Sequence, residues 1–191
     1  MHQALEHQEH AEHAAKHGHK NAALIVAVLA ALLAITEQQG RHAEIKVSNN
    51  GILAADAWSQ FQAKSTRQLM SEDLSRLVMA FDSSTDPALV AKRQALAKQF
   101  QDDATRFAKD PKDGKNAISV RARAFEDDRS EALERAHSFD NAAAALELGI
   151  VLATASAITM SNLLVRFALL MGVVGVTLAV LGLTFPDLAA F

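Results

Sequence analysis

The chain has 191 residues, half of them hydrophobic, with a net charge of −3 and no cysteine. Lacking cysteine, it has no disulfide, thiolate metal site or cysteine nucleophile, although this is compatible with either side of a membrane. Arg41–Asn141 carries sixteen basic and sixteen acidic residues, a balance that excludes the basic footprint of a nucleic-acid binder, and one Trp with no Tyr argues against a stacking platform for bases.

Residues 1–21 form a His/Glu-rich tail holding six of the eight histidines. His7, His10, His13 and His17 are spaced three, three and four apart, so a helix would set them on one broad face. Imidazoles one turn apart can share a divalent transition metal, the one cofactor the sequence suggests. The alternative is a solvated tail that titrates near neutral pH.

Residues 22–36 are the first hydrophobic run, about 15 residues or roughly 22 Å of helix against a hydrocarbon core of about 30 Å. No small-residue cleavage pattern follows at Glu37–Arg41, so an uncleaved anchor is expected rather than a signal peptide.

Residues 37–141 read as a charged helical coiled-coil domain. Its first helix is expected over Ile52–Asp82, marked by Leu53, Trp58, Phe61, Leu69, Leu74, Leu77 and Phe81. Asp86 is placed to cap a second helix with Pro87 at its first position. Leu89, Arg93, Leu96, Phe100, Ala104 and Phe107 then alternate at four and three, a coiled-coil seam with one polar interruption. Asp110-Pro111-Lys112-Asp113-Gly114 breaks the chain. A third helix from about Asn116 carries Ile118, Ala122, Phe125, Arg129, Ala132, Ala136 and Phe139 on one stripe. The phase continues through Ala143 and Leu146, which predicts one unbroken helix into the second span. Three antiparallel legs starting at a membrane would end away from it. An extra leg over Glu37–Ser48, reversing at the Asn-Gly turn signal of Ser48–Gly51, would restore the parity; helices lying flat on the membrane are the alternative.

Residues 142–160 and 163–185 read as a transmembrane hairpin, followed by a tail over 186–191. Small residues recur at Ala145, Gly149, Ala153 and Ala157, and again at Gly172, Gly175, Ala179 and Gly182. Such rows let helices approach closely in lipid. Glu147 is the one charge in Ala22–Thr36, Ala142–Met160 and Phe167–Phe185, roughly 6–9 Å past the start of its span. Ionisable groups there are costly and often functional. Arg41, His42 and His137 are its candidate partners at that face, with Glu37 also near.

Trp58, Phe61, Lys64, Ser65 and Arg67 form the densest distinctive cluster, readable as core packing or as an interaction surface. Lys64 and Ser65 point about 100° apart on a helix, which suits a Ser–Lys nucleophile pair poorly. The chain has no Gly-rich phosphate loop, HExxH or G-x-S-x-G. No enzymatic activity is expected.

The run Ala54–Ser65, with Trp58 followed by Phe61-Gln62-Ala63-Lys64-Ser65, resembles the signature of an uncharacterised bacterial membrane family, domain-of-unknown-function family 4337. Arg135–Phe139 followed by Ala145-Leu146-Glu147-Leu148 resembles that family's second half. The resemblance spans roughly Ala22–Leu183 and departs from the family at the hairpin loop, where a single Arg166 stands in place of several basic residues. It implies a bacterial inner-membrane location and supplies no activity.

The expected fold is therefore all-α, with three transmembrane helices (one N-terminal, one C-terminal hairpin) and an inserted helical coiled-coil domain. Lys16, Lys20 and Arg166 place the N-terminus and the 161–166 loop in the cytoplasm and the 37–141 domain in the periplasm. The expected function is a membrane-anchored, homo-oligomeric helical scaffold whose partners are the lipid bilayer, copies of itself and other membrane proteins. Two alternatives stand beside it. One is a small oligomeric channel or transport accessory using Glu147, and the other is a metal- or pH-responsive protein using the His-rich tail.

Overall fold

The computed structural model describes residues 2–81 and 86–184, with side chains from Asn21 onward. Four helices account for nearly all of it, and no strand occurs among the described residues: α1 (His2–Ala80), α2 (Pro87–Lys109), α3 (Lys115–Thr159) and α4 (Asn162–Thr184). Within α1 the stretch Asn21–Ala80, and α3 and α4 as a whole, are each long and apolar enough to cross a membrane. The chain divides into two compact units, one of Met1–Val47 with Ser130–Phe191, the other of Ser48–Arg129.

In the second unit α1 meets α2 and then the start of α3. Arg93 Nη1 donates to Phe81 O (3.2 Å), Ser75 Oγ donates to Ala97 O (3.0 Å), and Lys64 Nζ lies 5.7 Å from the centre of the Phe107 ring. Trp58 Nε1 donates to Glu126 Oε1 at 2.8 Å. As the α1 number falls, its partner's number rises without interruption. Both α2 and the first part of α3 are therefore antiparallel to α1, and the joint between them is no reversal. Asp110 makes that joint, its carboxylate accepting from the Lys112 and Asp113 amides at 2.8 Å each. At Gly114 a Cβ would come within 2.5 Å of Asp110 N, so only glycine closes the turn.

The parity expectation is corrected accordingly. α1 runs through 48–51 as helix, with no turn at Ser48–Gly51 and no separate leg over Glu37–Ser48. Glycine costs a helix about 1 kcal/mol relative to alanine, but Ala43, Ala54 and Ala57 are buried on either side and hold the segment in register. Asp86 caps α2 as expected, its side chain accepting from Ala88 N at 2.9 Å ahead of Pro87. Residues 82–85 lie outside the described residues.

The seam of α2 is also corrected. Val90, Arg93, Ala97, Phe100, Ala104 and Phe107 form the row turned inward, while Leu89 and Leu96 are exposed. Half-buried Arg93 sits in that row because its guanidinium reaches the terminal carbonyl of α1 at Phe81. Most of the expected α3 stripe is buried: Ile118, Ala122, Ala132, Ala136, Phe139 and Leu146 are inside, Phe125 and Ala143 are half-buried, and Arg129 is exposed. The helix also runs unbroken to Thr159.

The first unit packs α1, α3 and α4 through small residues. A Cβ on Gly172 would meet Leu29 Cδ2 at 2.7 Å, and one on Gly149 would meet both Leu29 Cδ1 and Ala168 O at 3.2 Å. Leu29 of α1 thus fits against glycines of α3 and α4 together. Gly175 faces Leu146 and Gly182 faces Ser138. Close approach of this kind maximises dispersion contact between the helices. The buried hydroxyls of Thr36, Ser138 and Ser156 donate to carbonyls of their own helices, at Leu32 (2.9 Å), Glu134 (2.9 Å) and Ala153 (2.7 Å).

Candidate functional site

Trp58 and Phe61 belong to the core of the second unit. Their rings meet edge-to-face at 5.5 Å and pack, with Phe125, on buried Ala57, Ile118 and Ala122. The indole N–H stays at the rim to reach Glu126. Lys64 is half-buried with its ammonium over Phe107, while Arg106 approaches the same ring at 5.6 Å. Ser65 is half-buried and Arg67 exposed. Trp58, Phe61 and Lys64 of the expected cluster therefore face inward, leaving Arg67 on the surface.

Glu147 is exposed on α3, next to exposed Leu148 and one turn from exposed Val151. Of its candidate partners, Arg41 pairs with Glu37 at 3.8 Å, and the His42 ring lies 3.1 Å from the Gln38 amide. His137 is exposed. Thr36, Glu37, Gly40, Arg41, Glu44, Phe139, Asp140 and Ala143 line a cleft of about 260 Å³ in the first unit. Among the described residues no group of three or more His, Asp and Glu could hold a metal ion. His7, His10, His13 and His17 lie outside the residues whose side chains are described.

Outward-facing apolar residues form a surface that the sequence alone did not single out. Met70, Leu74 and Leu77 of α1 and Phe81 just past its end are 59%, 39%, 51% and 73% exposed, and Leu53 and Leu69 are exposed as well. At 100° per residue the first four share one face, well away from the face that Gln68, Ser71 and Ser75 turn inward. Leu74, Leu77 and Phe81 marked the helix correctly but do not line its intramolecular seam. Their 4-3-4 spacing with Met70 was the available signal.

Residues 18–185 match the model of the family described as Domain of unknown function (DUF4337). The chain belongs to this family. No curated protein and no solved structure matches it. In this DUF4337 chain the stretch that carries the resemblance, Trp58–Ser65, is the part of α1 that packs on α3 and reaches Phe107.

Proposed function

We propose that this DUF4337 protein is a membrane-anchored helical scaffold that self-associates. The observation that carries this reading is the outward display of large apolar side chains on the three membrane-length helices. Leu24, Val28 and Ile35 of α1, Val151 and Ile158 of α3, and Leu163, Val173 and Val180 of α4 are all at least half exposed. Water would leave that surface uncovered, whereas lipid covers it with no change in the fold. In this reading α1 supplies the first span and residues 142–160 and 163–185 a membrane hairpin. The charged helices form a coiled-coil platform for contacts within the inner membrane, with the 37–141 domain periplasmic and the N-terminus and 161–166 loop cytoplasmic. The test is extraction followed by native mass spectrometry in mild detergent. Resistance to alkaline extraction and more than one subunit are expected; release into the soluble fraction, or a monomer, would sink the proposal.

Exposed Glu147 favours a second reading, a small oligomeric channel. A carboxylate on a lipid-facing helix surface is costly, and a lumen or a neighbouring subunit would remove that cost. Glu147→Gln should change ion flux in liposomes if a lumen is present. Unchanged flux would sink the channel reading.

A further inference from the structure

The α1–α2 portion of the second unit is a two-helix layer with an apolar side of its own. Met70, Leu74 and Leu77 of α1, with Phe81 just past its end where its N–H still donates to Leu77 O at 3.2 Å, occupy an arc of roughly 60°, and Leu89 and Leu96, two turns apart, occupy one line on α2. The phase of each helix relative to its inward row, in an antiparallel pair, puts the two sets on the same side. The opposite side is a polar groove of about 480 Å³, lined among others by Glu72, Arg76, Gln101 and Lys109. Two helices cannot enclose both of their apolar rows, and the usual solution is a second pair closing a four-helix bundle.

We propose that this apolar side is a self-association surface, covered by the same side of a second copy of the chain about a two-fold axis parallel to the helices. The inference rests on the scaffold reading and names its contact. Copies anchored in one bilayer run their α1 helices in the same direction. A two-fold along that direction sets α1 of one copy against α2 of the other at equal height. The Ser75–Ala97 and Lys64–Phe107 contacts fix which residues share a height. Leu77 then meets Leu96 of the other copy, and Arg67 meets Asp103. These last two border the apolar side at one end with opposite charges, so the two-fold brings unlike charges together twice. Arg67 is exposed, and Asp103 is half-buried beside Arg106 at 3.2 Å.

The absence of native cysteine makes the test direct. Full-length chains carrying Leu77→Cys are mixed with chains carrying Leu96→Cys in mild detergent and oxidised. The mixture is expected to give at least several-fold more cross-linked dimer than either variant alone. Arg67→Asp is expected to reduce that yield, and mixing Arg67→Asp chains with Asp103→Arg chains to restore it, because only contacts between chains regain opposite charges on mixing. Both cysteine sites are surface positions, and unchanged helical circular dichroism confirms that the variants fold. An oligomeric wild type with no 77–96 cross-link would overturn this contact and leave the scaffold reading standing. A monomeric wild type, or one whose apolar side is held by a different co-purifying protein, would overturn the self-association itself.

Discussion

Gly175 of α4 sits so close to Leu146 of α3 that a Cβ on the glycine would lie 2.7 Å from Leu146 Cγ and 3.0 Å from the Ala142 carbonyl oxygen. Leu146 is fully buried and the carbonyl belongs to a helix backbone, so neither can give way cheaply. Gly175→Leu should destabilise the first unit by about 1–3 kcal/mol through overpacking. Thermal unfolding in detergent reads this as a lowered midpoint. An unchanged midpoint would mean that α3 and α4 do not meet there.

Trp58 is the sole tryptophan, so its fluorescence reports the second unit directly. Trp58→Ala removes half-buried ring packing and the bond to Glu126 together, and should cost about 2–3 kcal/mol. Glu126→Gln keeps an acceptor oxygen for the indole and should cost under about 1 kcal/mol, measured by the shift in the fluorescence-detected unfolding midpoint. Equal losses from the two substitutions would mean that the bond to Glu126, and not the ring packing, carries the contribution of Trp58.

The joint at Asp110 is expected to weaken in acid. The Asp113 and Lys112 amides donate to its carboxylate and hold its pKa below the ordinary 3.8. The folded state therefore binds this proton less readily than the unfolded state. The joint's contribution is complete above the unfolded pKa and is lost as pH falls through the lower, folded value. Asp110→Asn keeps an acceptor for the turn and has nothing to titrate. Between about pH 6 and pH 2 the variant should lose less stability than the wild type. Parallel curves would exclude Asp110 as a contributor.

Met160, between α3 and α4, has φ of 50°, in the left-handed region that favours glycine. Its side chain is 58% exposed and contributes little burial. Met160→Gly should raise stability by about 1 kcal/mol, seen as a higher unfolding midpoint. A lower one would show that the side chain holds the turn.

What the sequence revealed and what it concealed follow from the range of the forces involved. The α3 stripe is readable because Ile118 and Ala122 in one unit and Ala132, Ala136, Phe139 and Leu146 in the other are buried on a single helical period, even though Arg129 between them is exposed. Asp86 and Pro87 were readable because capping is local chemistry. The Ser48–Gly51 turn was misread because local propensity lost to packing at Ala43, Ala54 and Ala57. Leu89 and Leu96 read as inward in the sequence because they are the larger side chains, whereas the inward row runs one position later through Val90 and Ala97. Periodicity shows that a face is apolar, but it does not say what covers that face. For the same reason Trp58 reads in the sequence as core or as surface, and Ile118 and Ala122 beneath it make it core.

The central claim is that three spans anchor a helical platform on one side of a bilayer. Site-directed labelling in sealed vesicles tests it most directly, since a cysteine introduced into this chain is the only one present. Ser59→Cys and Asn162→Cys place thiols at exposed positions on α1 and at the start of α4. The account predicts that a membrane-impermeant reagent reaches one from outside and the other only after the vesicles are opened. Labelling of both from the same side would contradict it.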